Sequence, residues 1–183
     1  VKKTSLEEFK NIRQSGKIAI TLKDEDQLVA VKLTTNDEEI LIAASNGKLI
    51  RFKENDVRPM GRTASGVKGI NVDGGHVVGM TTNGEGQYIM AISENGYGKM
   101  SPIDDYRESH RGGKGVKTIN TTLKTGQLVA LRAVNGDEDL LIITSEGIVI
   151  RLPMEQVKMA GRNTQGVRLI KVSEGSTAVS YTH

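Results

Sequence analysis

The sequence predicts an all-β protein, a propeller-like array of four-stranded antiparallel blades with about 50 residues per repeat. Three observations predict this class: a repeated loop phrase, apolar runs that recur in a fixed order, and 21 glycines that supply tight turns. The phrase reads RQSGKIAI at 13–20, GRTASGVKGI at 61–70, HRGGKGVKTI at 110–119 and GRNTQGVRLI at 161–170. Its marker glycines, Gly16, Gly66, Gly115 and Gly166, lie 50, 49 and 51 residues apart. Each copy is therefore one unit that must bury its apolar face against its neighbours.

Four apolar runs follow one another in each unit and are predicted to be strands. The first runs are 17–22, 66–72, 115–121 and 166–172. The second runs are 28–33, 76–80 and 128–133. The third runs are 40–45, 88–93 and 140–145, and the fourth runs are 48–52, 97–101 and 148–152, with residues 1–4 as a lone fourth strand.

The third and fourth strands of each unit are predicted to form a hairpin. They are joined by Asn46-Gly47, Asn95-Gly96 and Glu146-Gly147. Asn-Gly tolerates the positive φ that a tight hairpin turn requires. Four antiparallel strands repeated in series are typical of propeller blades, whereas the alternative, a β-solenoid, would have a shorter period. A short acidic turn follows each fourth strand, at 5–9, 53–57, 102–106 and 153–157.

We expect one continuous repeat domain over residues 1–183. Its predicted parts are a partial blade at 1–12, blades at about 13–60, 61–109 and 110–160, and a partial blade at 161–183. The array is interrupted within a unit at both ends, and the chain has no initial methionine. We therefore expect a fragment of a longer protein. Either its two ends complete one another, or two unpaired strand edges are exposed and would be prone to aggregation.

Composition restricts the chemistry that the chain can perform. Its 183 residues include no cysteine, which excludes disulfides, thiolate zinc sites and cysteine nucleophiles and fits a reducing cytoplasm. No apolar run approaches the roughly 18 residues of a membrane span, so no membrane partner is expected. The three histidines are isolated, no Gly-x-Ser-x-Gly occurs, and the carboxylates lie in turns. We expect no catalytic residue, no metal site and no cofactor.

Positive charges recur at four positions of the repeat. The column before the loop contains Lys10, Arg58, Arg107 and Lys158, and the loop column contains Arg13, Arg62, Arg111 and Arg162. The first-strand column contains Lys68, Lys117 and Arg168, and the fourth-strand column contains Lys3, Arg51 and Arg151. Packing explains recurring apolar residues but not recurring surface cations. With a net charge of +3 and a pI near 9.1, we expect a basic band along one rim that faces phosphate.

The densest copy of the loop is the segment 109–117. Its cations and glycines are Arg111, Gly112, Gly113, Lys114 and Lys117. Such glycines would let the backbone approach a ligand, and arginine supplies planar donors suited to phosphate. Two alternatives stay open: a flexible basic turn without a specific ligand, and surface ion pairs with the acidic turns, worth about 0–1 kcal/mol each. A P-loop is excluded because Glu108 and Gly115 occupy positions where that motif requires Gly and Ser or Thr.

The repeat resembles the C-terminal DNA-wrapping domain of bacterial DNA gyrase A, a β-pinwheel of blades of about 50 residues. The similar phrases are VKKTSLEEF at 1–9, RPMGRTASGVKGI at 58–70, ENGYGKMSPIDDYR at 94–107, SHRGGKGVKTIN at 109–120 and MAGRNTQGVRLI at 159–170. The family's hallmark box reads Gln-Arg-Arg-Gly-Gly-Lys-Gly, and residues 109–115 match its last five positions. Ser109 and His110 depart from it, so we expect a degenerate copy, with the principal box upstream of Val1.

The resemblance implies a module that binds, bends and wraps double-stranded DNA without reading its sequence. In the parent type IIA topoisomerase it would support ATP-dependent negative supercoiling, in a heterotetramer with gyrase B on the bacterial chromosome in the cytoplasm. The residues expected to contact DNA are Arg13, Arg58, Arg62, Lys68, Arg107, Arg111, Gly112, Gly113, Lys114, Lys117, Arg162 and Arg168. Two alternatives are the corresponding domain of topoisomerase IV and a propeller that docks an acidic protein.

Overall fold

A computed structural model describes residues 1–173 and 175–182, and nearly all of their regular structure is β-strand. The strands are β1 (Glu39–Ala44), β2 (Lys48–Lys53), β3 (Val77–Thr82), β4 (Tyr88–Ser93), β5 (Tyr97–Pro102), β6 (Val116–Lys117), β7 (Leu128–Val134), β8 (Asp139–Thr144), β9 (Val149–Pro153), β10 (Val167–Arg168) and β11 (Ala178–Thr182). Short 3₁₀ turns lie at Leu6–Phe9, Glu54–Asp56, Asn83–Glu85, Ile103–Asp105 and Met154–Gln156. Within the described ranges, no helix has the length and apolar character to cross a membrane.

The strands form three sheets, and their ladders are antiparallel. Sheet A has the strand order β3-β1-β2-β6, sheet B has β10-β5-β4-β7, and sheet C has β11-β8-β9. The hairpins β1–β2, β4–β5 and β8–β9 correspond to the predicted third and fourth strands. The predicted all-β class with four-stranded antiparallel blades is therefore confirmed in sheets A and B, and sheet C holds three strands in the described part of the chain.

The three sheets pack face to face, with a hydrophobic core between each pair of neighbours. Leu41 of β1 packs against Ile89 of β4 between sheets A and B, and both are fully buried. Met90 lies on the opposite face of β4 and packs against Ile142 of β8, between sheets B and C. Successive strand residues point to opposite faces, so one strand supplies both cores. Burying each such side chain contributes about 1.5–3 kcal/mol.

Each sheet has an inner side and an outer edge. Strands β3, β7 and β11 form the inner side, where β7 contacts both of the others. The approach is close: a Cβ placed on Gly79 of β3 would lie 3.3 Å from the carbonyl oxygen of Leu131 in β7. The opposite edge of each sheet, called the outer edge here, is formed by β2 and β6 in sheet A and by β5 and β10 in sheet B.

The predicted strands at 17–22 and 28–33 are wrong, because these runs form no strand. Their apolar side chains are largely uncovered, and Val31 and Leu33 are 74% and 78% exposed. A strand needs a neighbour that satisfies its backbone amides, and no described segment forms a ladder with these runs. The predicted first strand at 66–72 also forms no strand, and the predicted fourth strand at 1–4 has only an isolated bridge at Lys3. The other predicted first strands are shorter than expected, since only Val116–Lys117 and Val167–Arg168 form ladders.

Each four-stranded sheet contains strands from more than one of the predicted blades. β3, from the predicted blade 61–109, pairs with β1 from the blade 13–60, and β6, from the blade 110–160, extends the same sheet. The chain crosses the outer edge and then returns to the inner side before the next hairpin begins. The predicted blade limits therefore do not coincide with the sheets, and a single domain over 1–183 stays a prediction. Glu174 and His183, in the predicted partial blade 161–183, lie outside the described residues.

Candidate nucleic-acid interface

The repeated loop crosses the outer edge of each sheet beside a fourth strand. In sheet A the residues before the loop run parallel to β2, and the Ser109 N–H donates to the Arg51 carbonyl at 2.9 Å. After the loop, β6 returns antiparallel to β2 and places Lys117 opposite Lys48. Both ends of the loop are thus bonded to one strand, which holds the loop at the outer edge.

The same crossing recurs in the neighbouring units. In sheet B the Ala160 N–H donates to the Met100 carbonyl at 2.9 Å. Beside residues 1–4, the Met60 N–H donates to the Lys3 carbonyl at 2.9 Å. Equivalent loops therefore lie at equivalent places along the array, as the repeat predicted.

The glycine that ends each loop is required by the neighbouring strand. Gly115 has φ +68° and Gly166 has φ +75°, in the left-handed region that favours glycine. A Cβ would lie 2.3 Å from the Leu49 carbonyl oxygen at Gly115 and 2.4 Å from that of Gly98 at Gly166. The close approach that these glycines permit is to a strand of the protein itself.

Three of the four loop arginines donate to a main-chain carbonyl of the preceding unit. The Nη1–O distances are 2.7 Å from Arg62 to Ile18, 3.1 Å from Arg111 to Lys68 and 3.3 Å from Arg162 to Lys117. The three acceptors occupy the same position of the repeat, so the contact is a recurring bond between units. Arg13 is exposed and has no such bond among the described residues. A guanidinium has five N–H groups, and the bonded arginines, each half-buried, keep donors for a ligand.

Two columns of cations stand exposed on the outer edge. Their members are Arg58, Arg107 and Lys158 before the loop, and Lys68, Lys117 and Arg168 in the first strand. Within the described residues, none of these six forms an ion pair. The closest contacts of Lys117 and Arg168 are neutral, to Asn120 Oδ1 at 3.5 Å and Tyr97 Oη at 2.8 Å. Lys10, the remaining member before the loop, pairs with Glu7.

The two exposed columns lie near each other on every unit. In sheet A, Glu108 bridges to Arg51 of β2, and Lys117 lies opposite Lys48 of the same strand. Arg107 precedes Glu108 and therefore lies beside Ile50, two residues along β2 from Lys48. Arg107 and Lys117 thus leave the edge roughly 7 Å apart. Each unit therefore presents two cations on one side of the array.

The fourth-strand column is neutralised by carboxylates. Arg51 Nη2 lies 2.6 Å from Glu39 Oε2, and Lys3 Nζ lies 3.0 Å from Glu54 Oε1. Arg151 pairs in the same way with Asp139. Ion pairing, the alternative considered for all columns, is thus the structural role of this one.

The Arg-Gly-Gly-Lys-Gly loop is bonded along its length to the first strand of the preceding unit. The Gly112 N–H donates to the Gly69 carbonyl at 2.5 Å, and the Gly113 carbonyl accepts from the Asn71 N–H at 2.8 Å. The Gly112 amide is therefore already used within the protein.

Lys114 of this loop is only partly neutralised. Its Nζ lies 3.4 Å from Asp73 Oδ2, while 62% of its side chain is exposed. Asp73 also accepts from Lys48 at 3.3 Å, and the hydrogen bonds from Lys48 and Lys114 lower the pKa of Asp73. One carboxylate is thus shared between two lysines, which leaves net positive charge at this point.

One buried cation was missed by the sequence analysis. Lys99 of β5 is fully buried, and its Nζ donates to Ser101 Oγ at 2.9 Å and to the Gly161 carbonyl at 2.8 Å. Burial lowers the pKa of Lys99 to about 8. The sequence does contain a sign of this role: Lys99 occupies the repeat position at which the fourth strand of the preceding unit has the buried residue Ile50. Lys99 anchors the start of the loop at 161–166 from beneath.

Comparison with known proteins places this architecture in a family. A family model described as DNA gyrase C-terminal domain, beta-propeller, matches residues 1–35, 38–82, 87–135 and 138–180. Each of the last three stretches begins just before a third strand and runs to a second strand, as sheets A, B and C do. The DNA gyrase A protein of Staphylococcus epidermidis is 47% identical over 178 residues, which are 96% of this chain and 20% of that protein.

Solved structures share the fold. A DNA gyrase A C-terminal domain superposes with a TM-score of 0.83 at 26% identity, over 92% of this chain and 58% of that chain. The C-terminal domain of a DNA topoisomerase IV superposes with a TM-score of 0.91 at 23% identity, over 99% and 57% of the two chains, and shows the fold alone. The chain spans about a fifth of the length of the curated relatives that it matches.

Proposed function

The chain belongs to the DNA gyrase C-terminal domain family of β-propellers, and from this premise we propose that it binds duplex DNA along its outer edge and bends it. The family match confirms the resemblance drawn from the loop phrases. The observation that supports the proposal is the pair of exposed, unpaired cation columns at matching positions on successive units, within the described residues. Surface cations that are left without carboxylates attract a polyanion.

Contacts of this kind would fix the position of the duplex without reading its sequence. The exposed columns consist of lysine and arginine at the outer edge, and of these Lys117 and Arg168 lie in strands. Lysine and arginine side chains suit phosphate oxygens. Sequence readout requires a helix or ribbon inserted in a groove. The described residues contain no helix longer than a 3₁₀ turn, and the hairpins β1–β2, β4–β5 and β8–β9 lie within the packed sheets.

Bending follows from the stacking of the sheets. Each unit adds two cations at an equivalent position, and β7 contacts both β3 and β11 on the inner side of the sheets. Because neighbouring strands in a sheet are rotated relative to one another, successive units would not lie on a straight line. A duplex that follows the cations from unit to unit must curve with them. Bending a short duplex by 40–90° costs of order 1–6 kcal/mol, which repeated phosphate contacts can offset.

The salt dependence of binding tests the proposal. If the six exposed cations reach phosphates, the logarithm of the association constant should fall against the logarithm of salt concentration with a slope of about −5. Fluorescence anisotropy with duplexes of unrelated sequence would measure the slope, and end-to-end energy transfer would report bending. A propeller that docks an acidic protein would instead show no affinity for random duplex at low salt.

Two double variants distinguish the contribution of the exposed columns to DNA binding from the effect of net charge alone. Arg107→Gln with Lys117→Gln removes two outer-edge cations and should lower the slope by about 1.8. Lys32→Gln with Arg132→Gln changes the net charge equally and serves as the control, since Lys32 is already paired with Glu85 and Arg132 lies in the inner strand β7. Equal effects of the two double variants would reject the assignment of the outer edge.

In the parent protein this module would wrap DNA for a type IIA topoisomerase. The relatives are named as the A component of DNA gyrase. We propose that the wrap supports ATP-dependent negative supercoiling, in a heterotetramer with gyrase B on the chromosome in the bacterial cytoplasm. The chain itself would bind no cofactor and would have no catalytic activity, because cleavage would belong to another part of the parent protein.

Topoisomerase IV is the second candidate parent, since its C-terminal domain has the higher TM-score of 0.91. Identities of 46–49% with DNA gyrase A proteins, against 23% with that domain, favour gyrase. The two parents differ in the outcome of fusing this chain to the rest of the enzyme. A gyrase domain should support negative supercoiling of relaxed plasmid, whereas a topoisomerase IV domain should support only relaxation and unlinking.

A further inference from the structure

A cleft of about 340 Å³ opens at the outer edge of sheet B and collects three cations. Lys124, Arg168 and Lys171 line it together with the ring of Tyr97. All three cations are exposed, and within the described residues none is paired with a carboxylate. Lys124 and Lys171 stand outside the repeating columns. The positions equivalent to Lys171, at 71 and 120, hold asparagine. The position equivalent to Lys124 in the preceding unit holds Asp73.

Tyr97 holds the cleft in shape. It is 95% buried, with a relative exposure of 5%, so its ring is a fixed platform. Arg168 donates from Nη2 to Tyr97 Oη at 2.8 Å, and its guanidinium carbon lies 5.2 Å from the ring centroid. Lys124 Nζ lies 5.5 Å from the same centroid. Two cations thus share one aromatic ring, an arrangement stabilised by the ring quadrupole and by any anion that lies between them.

The turn that carries Lys124 is also fixed. Asn95, in the β4–β5 hairpin turn, donates from Nδ2 to the Lys124 carbonyl at 3.1 Å. Thr125 is fully buried and accepts from the Thr122 N–H at 2.9 Å. The lysine therefore extends from a braced turn, and an anion that binds it meets a preformed site.

The equivalent place in sheet A shows what distinguishes this cleft. There Lys48 stands where sheet B has Tyr97. The bond from Ser45 N–H to the His76 carbonyl recurs as the bond from Glu94 N–H to the Gln127 carbonyl, so Asp73 corresponds to Lys124. Asp73 pairs with Lys48 at 3.3 Å. In sheet B the carboxylate is replaced by a lysine, and Lys171 is added. One unit of the array has thus exchanged an ion pair for a concentration of positive charge.

We propose that the Tyr97 cleft is a discrete binding site for a backbone phosphodiester of the bound duplex, held by Lys124, Arg168 and Lys171. The inference rests on the proposed function, because Arg168 belongs to the exposed first-strand column. It assigns to sheet B a stronger hold on DNA than to sheet A. Three donors that converge from two segments match the oxygens of one phosphate group.

The test compares two double variants that change charge equally. Lys124→Gln with Lys171→Gln should lower the salt slope of duplex binding by about 1.8 and lower affinity near 0.1 M salt at least about tenfold. Lys32→Gln with Arg132→Gln is the matched control, because Lys32 is paired with Glu85 and Arg132 lies in the inner strand β7. Circular dichroism would verify that both variants fold. Equal losses of duplex affinity in the two variants, or no loss in the first, would reject the proposed phosphate site.

Amide NMR of the labelled chain locates the ligand directly. Addition of a short duplex, or of dimethyl phosphate as a diester probe, should shift the amide resonances of Tyr97, Lys124 and Lys171. Inorganic phosphate is the second probe, and shifts with it alone would overturn the diester assignment in favour of a free-anion site. Failure of the wild-type chain to bind any duplex would reject the proposed function itself, and this outcome is distinct from failure of the cleft variant alone.

Tyr97→Phe gives a readout that charge removal does not. The variant keeps the ring and all three cations but removes the hydroxyl that orients Arg168. We expect a smaller loss of duplex affinity, less than about tenfold, because only the hydrogen bond that orients Arg168 is removed. The salt slope should be unchanged. A change of slope in this variant would contradict the positioning role of the tyrosine.

Discussion

Replacing Gly115 by alanine measures how strongly the loop is held against its neighbouring strand. Two separate costs follow from the structure. Alanine at φ +68° is strained by about 1–2 kcal/mol. Its Cβ would also lie 2.3 Å from the Leu49 carbonyl oxygen, so the backbone must shift, at about 1–3 kcal/mol. The free energy of unfolding should therefore fall by about 2–5 kcal/mol in total.

Gly74→Ala is the matched control for this substitution. Gly74 has φ +86°, and no atom lies within 4 Å of the position of its Cβ, so only the backbone strain applies. The effect of the extra methyl group on the unfolded chain is common to both variants and cancels in the comparison. Urea unfolding with an unchanged m value would give both losses. If Gly115→Ala costs no more than Gly74→Ala, the close contact with Leu49 does not determine the choice of glycine.

Two further predictions concern buried or bonded cations. Arg111→Gln removes the donors to Lys68 O and Asp56 O, and it should lower the free energy of unfolding by about 1–3 kcal/mol in urea titrations, whereas a purely ligand-binding arginine would leave stability unchanged. The pKa of Lys99 is lowered by burial from 10.5 to about 8. Between these values the unfolded chain binds more protons than the folded chain, so stability should rise with pH above about 8. Lys99→Met should abolish this rise, and urea midpoints at several pH values would detect a failure.

The hairpins could be predicted from sequence because their determinants are local. Asn46-Gly47 fixes a turn between two apolar runs, and the same signal recurs in the next unit. The result is that β1, β2, β4 and β5 lie within a residue or two of their predicted limits. The runs at 17–22 and 28–33 carry an equally apolar pattern, yet they lack a partner among the described residues. Strand formation depends on that partner, which is not encoded within the run.

The roles of the cations could be predicted only in part. Counting charges at repeated positions found the exposed columns, but the count cannot show whether a carboxylate lies opposite. Arg51 and Arg107 look alike in sequence, and only the first meets an acid in the described part of the chain. Lys124 and Lys171 were not found in this way because no cation occupies their positions in the neighbouring units. A site that occurs in one unit alone produces no periodic pattern in the sequence.

The bonds between units and the exposed charges involve the same residues. Lys68 and Lys117 each contribute a carbonyl oxygen that accepts from the next loop arginine, and each projects its own side chain from the same residue. The bond therefore fixes the cation of one unit relative to the loop of the next. Because this link recurs, the spacing of the exposed lysines is set by the protein before any ligand arrives. A duplex bound along the outer edge would adopt a curvature already built into the array, and the protein would not have to reorganise to impose it.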